Sequence, residues 1–331
     1  MSTTQEIKPK NQASAGSNIL KTIFQQREIG IFIFVLLFCV ALRMASPQFL
    51  ARANLLALVV GMSFDMIVAV GMTVLMVSGG FDMSVGSTLA LAGAVAGYCM
   101  AKFGLPVWFS IVLGIAVGGL IGVINGLLVT KVQVNPFITT LGMMQVVRGI
   151  VFLLTSGLGI PNLPKEFNYF GQGKWFDVQI PVWIMLFLVI VGEILLRRSK
   201  YFRQSYFVGG NERSARLSAI NIDQVKIMNY VIVAALAALS GILLAGRMSS
   251  ASVSAGLGAE LRVISAVVIG GASLSGGEGT VLGALLGVIL MSLISNGLNL
   301  LGINVYWQNI VIGAVLIIAV AADSLSRRNK S

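Results

Sequence analysis

The chain has 331 residues, of which 56% are apolar and only 11% charged, with a mean hydropathy of +0.91 and a formal net charge of +11. A soluble domain carries about 25% charged residues, so this chain has too little charge to cover a water-facing surface, and its excess apolar surface has to face lipid. There is no histidine, which excludes Ser–His and Cys–His nucleophile pairs and His-based metal sites. Cys39 and Cys99 lie in separate apolar segments without metal-ligand spacing and read as small hydrophobes, so no metal and no cofactor is expected. The basic residues fall between apolar runs rather than on one face with interleaved aromatics, which is the positive-inside pattern of a membrane protein and not a nucleic-acid surface.

Residues 1–28 are polar, carry Lys8, Lys10, Lys21 and Arg27, and read as a short cytoplasmic tail. The run from Ile29 to Ala45 follows too long a head for a signal peptide and lacks a small-x-small cleavage site, so it reads as a retained first helix. Further apolar runs follow at 54–78, 84–101, 105–129, 136–155, 180–196, 227–246, 260–272, 280–300 and 305–322, separated by Gly, Pro and polar residues. The expectation is an all-α polytopic membrane protein with about ten transmembrane helices, a membrane domain over 29–322 and a cytoplasmic tail over 323–331. With both termini in the cytoplasm and ten crossings, the inner side receives the N-terminal tail, Lys131, the loop 197–226 and the C-terminal tail. Those regions hold 15 of the 23 Lys and Arg residues, whereas 156–179, placed outside, holds only Lys165 and Lys174.

The fourth run carries Gly114, Gly118, Gly122 and Gly126, and the ninth Gly279, Gly283 and Gly287, each four residues apart. Such ridges let neighbouring helices approach closely in lipid. Two phrases recur and suggest a partial internal repeat. Gly79-Gly80-Phe81-Asp82-Met83-Ser84-Val85-Gly86 resembles Gly270-Gly271-Ala272-Ser273-Leu274-Ser275-Gly276-Gly277, and Asn125-Gly126-Leu127 resembles Asn296-Gly297-Leu298. The phrases are about 20 residues closer together in the second half, about one helix at the usual span length. On the alternating topology the first pair shares a side of the membrane and the second does not. Either 84–101 does not fully span or one match is chance. The short segment 260–272 reads equally as a tilted helix or as a half-helix reaching mid-membrane. Glycine pairs interrupt the chain after both 54–78 and 260–272, as at transporter substrate paths.

Asp65 and Arg148 fall inside predicted spans, where a charge costs about 2.5–3.5 kcal/mol and has to face protein or water; pairing with each other is one solution. A path for a neutral, hydroxyl-rich solute calls for amides and hydroxyls, and Ser63, Gln145, Asn296, Asn299, Gln308 and Asn309 are the candidates. Each is equally able to join two helices. Asp82 and Ser84 are placed to cap the helix that follows Gly79-Gly80, and Ser273 and Ser275 correspond to them after Gly270-Gly271. In the loop 197–226, Gly209 and Gly210 precede Asn211, which is placed to cap a short helix running to about Ile220. Arg213, Arg216 and Ser218 lie on that helix, which a cytoplasmic motor would grip. Leu274-Ser275-Gly276-Gly277-Glu278 imitates an ATPase signature. No G-x-x-x-x-G-K-[ST] loop occurs, however, so ATP hydrolysis is expected on a separate subunit and this chain is not an enzyme.

Four phrases in order resemble the permease subunits of ribose-type monosaccharide ABC importers. They are 79–86 (with Met83 where the family has Leu), 209–220 (with Ser214 for Ala and Ala219 where Gly is usual), 270–277, and Asn296 to Leu300 followed by Tyr306-Trp307-Gln308. The resemblance covers nearly the whole chain after the tail. It implies a multi-pass protein of the bacterial inner membrane that conducts a monosaccharide from periplasm to cytoplasm. It also implies a second permease chain (identical or related), a cytoplasmic ATPase docked through the loop, and a periplasmic sugar-binding protein. An ion-coupled secondary transporter would need membrane carboxylates, for which Asp65 and Asp82 are the candidates. An intramembrane enzyme would need a Ser–Lys or acidic site, and the lysines lie outside or at the edges of the runs.

Overall fold

The computed structural model describes residues 27–328; most of the expected N-terminal tail and the last three residues lie outside the described residues. Among the described residues there are thirteen α-helices: α1 (Arg27–Ala45), α2 (Arg52–Val77), α3 (Val85–Phe103), α4 (Val107–Thr130), α5 (Pro136–Thr155), α6 (Lys165–Gln172), α7 (Ile180–Arg198), α8 (Lys200–Gly210), α9 (Glu212–Leu217), α10 (Ile222–Met248), α11 (Ala259–Ile269), α12 (Val281–Leu300) and α13 (Val305–Arg328). A two-residue hairpin, β1 (Lys174–Trp175) and β2 (Val178–Gln179), separates α6 from α7.

A helix forms at each of the ten predicted runs, and among the described residues seven are long and apolar enough to cross a membrane: α1, α2, α4, α5, α7, α10 and α12. The other three fall short for different reasons. Helix α3 is built from Ala, Gly, Ser and Thr and buries 14 of its residues inside the protein, so it has little need of lipid-facing apolar bulk. Helix α11 has 11 residues and rises only about 16 Å, roughly half of a hydrocarbon core. In α13 the apolar stretch among the described side chains is Tyr306–Ala321.

Helix α2 is apolar all round and is buried continuously from Met66 to Val77, as a helix enclosed by others should be. The Gly ridge of α4 faces its neighbours. A Cβ on Gly114 would lie 3.0 Å from Ile242 Cδ1, one on Gly122 2.7 Å from Val231 Cα, and one on Gly126 2.8 Å from Ile227 Cα. Helix α10 is thereby pressed backbone to backbone against α4, the contact that small residues permit in lipid. Gly283 and Gly287 of α12 meet Gly270 and Ala266 in the same way.

Connections gather at two ends. At one, Arg52 pairs with Asp177 at 2.7 Å, Ile160 and Ala251 exchange two backbone hydrogen bonds of 2.9 Å, and Gln172 donates to the Arg247 carbonyl at 2.9 Å. At the other, Lys131 pairs with Asp223 at 2.6 Å, Thr280 donates to Glu28 at 2.6 Å, and Tyr206 donates to the Gly279 carbonyl at 2.7 Å. The loops that alternation assigns to one side therefore do meet one another.

Candidate substrate path and its supports

The connection between α10 and α11 does not stay at the end of the molecule. Ala251 lies beside Gly97 near the far end of α3, whereas Gly256 packs against Gly86 at the start of α3. Residues 249–258 thus run back along α3 as irregular backbone, and the 11-residue helix α11 follows them. Irregular backbone at membrane depth is tolerated only where its polar groups find partners in protein or water. Arg148 supplies them: its Nη1 donates to the carbonyls of Val253 at 2.9 Å and Ala255 at 3.0 Å. This is the role of the arginine in the fifth run, and it corrects the suggested Asp65–Arg148 pair.

Asp65 pairs instead with Arg262 of α11. Arg262 Nε donates to Asp65 Oδ2 at 3.1 Å and Nη2 to Oδ1 at 3.3 Å, a two-pronged geometry suited to Arg and carboxylate. Arg262 Nη1 also donates to the Leu257 carbonyl at 3.3 Å, so two arginines from different helices hold the irregular segment.

The Asp65–Arg262 pair forms one wall of a cleft of about 500 Å³ between α2, α12 and α13. Four of the six path candidates line it: Asn296, Asn299, Gln308 and Asn309. Gln308 donates to Asn299 at 2.8 Å, and Asn296 exchanges reciprocal bonds of 2.8 and 3.2 Å with Asn54. Ser292 and Ser295 complete the polar lining. The other two candidates are elsewhere. Ser63 is fully buried and donates to the Val60 carbonyl of its own helix at 2.7 Å, and Gln145 lies exposed on α5. Sequence reasoning missed Arg262 as a path residue, and it missed Asn54, Ser292 and Ser295. The signal for Arg262 was the basic residue heading a segment too short to span.

At the other end, three glycine turns converge. A Cβ on Gly276 would lie 2.8 Å from Gly209 Cα and 2.9 Å from Gly79 Cα, and one on Gly277 3.0 Å from Gly210 Cα. The Gly277 N–H donates to the Val77 carbonyl at 2.8 Å. The phrases 79–86 and 270–277 therefore meet each other and the expected docking loop. The second pair of phrases separates: Asn125 is bonded to Asp82 and Ser84, while Asn296 lies in the cleft near the opposite end.

Asp82 is fully buried, but its role is not the expected helix cap. Its Oδ1 accepts from the Ser84 N–H at 2.7 Å and the Ser84 hydroxyl at 2.6 Å, and Oδ2 accepts from Asn125 at 3.2 Å. The carboxylate closes a turn two residues ahead, before α3 begins, and Ser84 makes no side-chain cap bond. In the second phrase, Ser273 Oγ accepts from the Ser275 N–H at 3.1 Å, a turn of the same form. The positive φ falls on the first glycine of the first phrase, Gly79 at 81°, and on the second glycine of the other, Gly271 at 96°.

In the loop, Asn211 Oδ1 accepts the Ser214 N–H at 2.9 Å and caps α9, which ends at Leu217 rather than near Ile220. Ser218 follows the helix end. Ala219 takes φ 58°, the left-handed conformation that favours glycine; this turn ends the helix early, and glycine is the usual residue of the phrase it resembles. Arg213 and Arg216 are exposed, as is Leu217 at 85%, an apolar side chain that sequence reasoning did not single out. Tyr206 of α8 joins the loop to the Gly279 turn. Burial, and secondarily the Glu193 carboxylate, pushes its hydroxyl up to about 12, so it remains a donor through neutral pH.

Residues 54–320 match the family model described as "Branched-chain amino acid transport system / permease component". The ribose import permease protein RbsC of Escherichia coli K12 is 40% identical over 84% of this chain and 88% of its own length. The Bacillus subtilis ribose import permease protein is 38% identical, over 90% and 92%. The L-arabinose transport system permease protein AraH of Escherichia coli K12 is 32% identical over 96% and 98%. No solved structure matches.

Proposed function

The chain belongs to this family of transport permeases, and we propose that it is the conducting subunit of an ATP-driven importer that carries a monosaccharide from periplasm to cytoplasm. The observation that carries the reading is the polar cleft beside an interrupted helix. Lined by amides, hydroxyls and one cancelling ion pair, it suits a neutral solute with many hydroxyls and offers no cluster of carboxylates for a coupling ion. The short helix α11 and the irregular segment 249–258 are the kind of broken element found where transporters place their path.

On this reading the chain crosses the bacterial inner membrane ten times, with both termini and the 197–226 loop in the cytoplasm. A second permease chain, a separate ATPase and a periplasmic sugar-binding protein complete the importer. The ATPase grips α9 through Leu217, Arg213 and Arg216. The test is co-purification of the complete importer with the variant Arg213→Glu/Arg216→Glu/Leu217→Asp. Membrane insertion should persist, while ATPase recovery and monosaccharide uptake should both fall at least about tenfold, since losing one buried contact of about 1.4 kcal/mol already gives that factor. Full recovery and uptake would exclude α9 as the principal contact.

A further inference from the structure

The cleft has a feature that a merely polar channel does not need: an ion pair held partly open to it. The side chains of Arg262 and Asp65 are 31% and 23% exposed. Of the guanidinium's five N–H groups, three are engaged, two by Asp65 and one by the Leu257 carbonyl. The carboxylate, with about four lone-pair sites, uses two. Both partners therefore retain hydrogen-bonding capacity on the cleft wall, one as donor and the other as acceptor.

Among the described residues they are the only charged ones lining the cleft, and their charges cancel. The lining thus presents strong donors and acceptors without net charge.

A sugar hydroxyl both donates and accepts, so a neighbouring pair of hydroxyls can bond Asp65 and Arg262 together. Asn299, Gln308 and Asn309 stand across the same space. An anionic sugar would compete with Asp65 for Arg262 and leave the carboxylate unpaired, and a cationic one would do the reverse. We propose that Asp65 and Arg262 form a hydroxyl-binding station in the cleft that accepts a neutral monosaccharide and discriminates against sugars carrying net charge. The proposal rests on the reading of the chain as a sugar permease.

The test uses the full chain in membrane vesicles, with Cys39→Ala and Cys99→Ala and a single reporter, Ser292→Cys, in the cleft. Anionic and cationic methanethiosulfonates of similar size are compared, each corrected for its reactivity with a free thiol. With the pair intact the two should react at similar rates. Asp65→Asn should raise the anion-to-cation ratio about tenfold by leaving Arg262 unpaired, and Arg262→Gln should lower it by a similar factor. D-ribose at high millimolar concentration should slow modification of the paired protein, whereas D-ribonate should not. Protection by ribose should vanish in Asp65→Asn/Arg262→Gln, a double variant that leaves no unpaired charge. A ratio that none of the variants moves would overturn the proposal. So would a ratio that moves while ribose gives no protection, or equal protection by ribonate. Ribose uptake by cells carrying the parental importer, without the reporter cysteine, reports the permease reading separately. Uptake without protection rejects the station and leaves the permease standing.

Discussion

Arg148 offers a direct measure of what holds the irregular segment 249–258. Replacing it by Met removes two charge-assisted hydrogen bonds and leaves the Val253 and Ala255 carbonyls without those donors inside the protein. An orphaned buried acceptor costs about 1–3 kcal/mol, so two cost about 2–6 kcal/mol. The substitution also removes a charge whose placement in the membrane costs about 2.5–3.5 kcal/mol on insertion scales. The two effects oppose each other globally, and the net change in overall stability should stay within about 3 kcal/mol. Locally they do not cancel, because only the carbonyls of 253–255 lose partners. A local loss of about 2 kcal/mol raises the open population of the segment about 30-fold. Hydrogen exchange on the purified protein in lipid nanodiscs should therefore show the amides of 252–257 exchanging about 30-fold faster in Arg148→Met, with α2 and α10 unchanged. Lys supplies the charge without the planar fork and should fall between. Unchanged exchange in 252–257 would show that packing on α3, not the guanidinium, holds the segment, and would refute the reasoning.

Two further changes test the inner turns. Asp82→Asn keeps an acceptor for Ser84, and its amide can donate to Asn125 Oδ1, which has no hydrogen-bond partner, so uptake per inserted molecule should stay near the parental level. Asp82→Leu orphans the Ser84 N–H and leaves the Ser84 and Asn125 groups without that partner, and should abolish insertion or uptake; if Asn fails like Leu while inserting normally, the charge itself is required. Ala219→Gly relieves a left-handed alanine worth about 1–2 kcal/mol, less about 0.4–1 kcal/mol of added chain entropy, so the midpoint of thermal unfolding in detergent should hold or rise by the equivalent of up to about 1.6 kcal/mol. A clear fall would show that the methyl group has a contact the exposed turn does not reveal.

The positions of the helices were legible because an apolar run of about 20 residues has few alternatives in lipid. The cap at Asn211 was legible because capping is a local bond between an Asn side chain and a backbone N–H three residues on. The polar cleft was legible in part, since Asn296, Asn299, Gln308 and Asn309 are costly in apolar helices unless they meet one another or water. The pairing of Asp65 was not. Its partner is 197 residues away, and nothing in a linear sequence says which helices lie side by side. Arg148 was harder still, because its acceptors are backbone carbonyls, which every residue possesses. The sign that 249–258 is not an ordinary loop is compositional: Ser249 to Gly258 contains Ser, Ala or Gly at eight of ten positions, all but Val253 and Leu257, and Gly256 and Gly258 both take positive φ. Small residues let that strand of chain lie flat against α3, just as the Ala and Gly of α3 itself marked it as a helix with protein on all sides.

The glycine turns and the cleft belong to the same two elements. Helix α2 carries Asp65 at its middle and ends at the Gly79 turn; α11 carries Arg262 and ends at the turn leading to Gly276. Both turns touch Gly209, which closes α8 and leads directly into α9. These contacts are between backbones, and a backbone contact has no rotamers with which to absorb a displacement, whereas a contact through long side chains has several. A shift of α8 would therefore act on the ends of both helices at once, and these two helices face each other at the Asp65–Arg262 pair in the wall of the cleft.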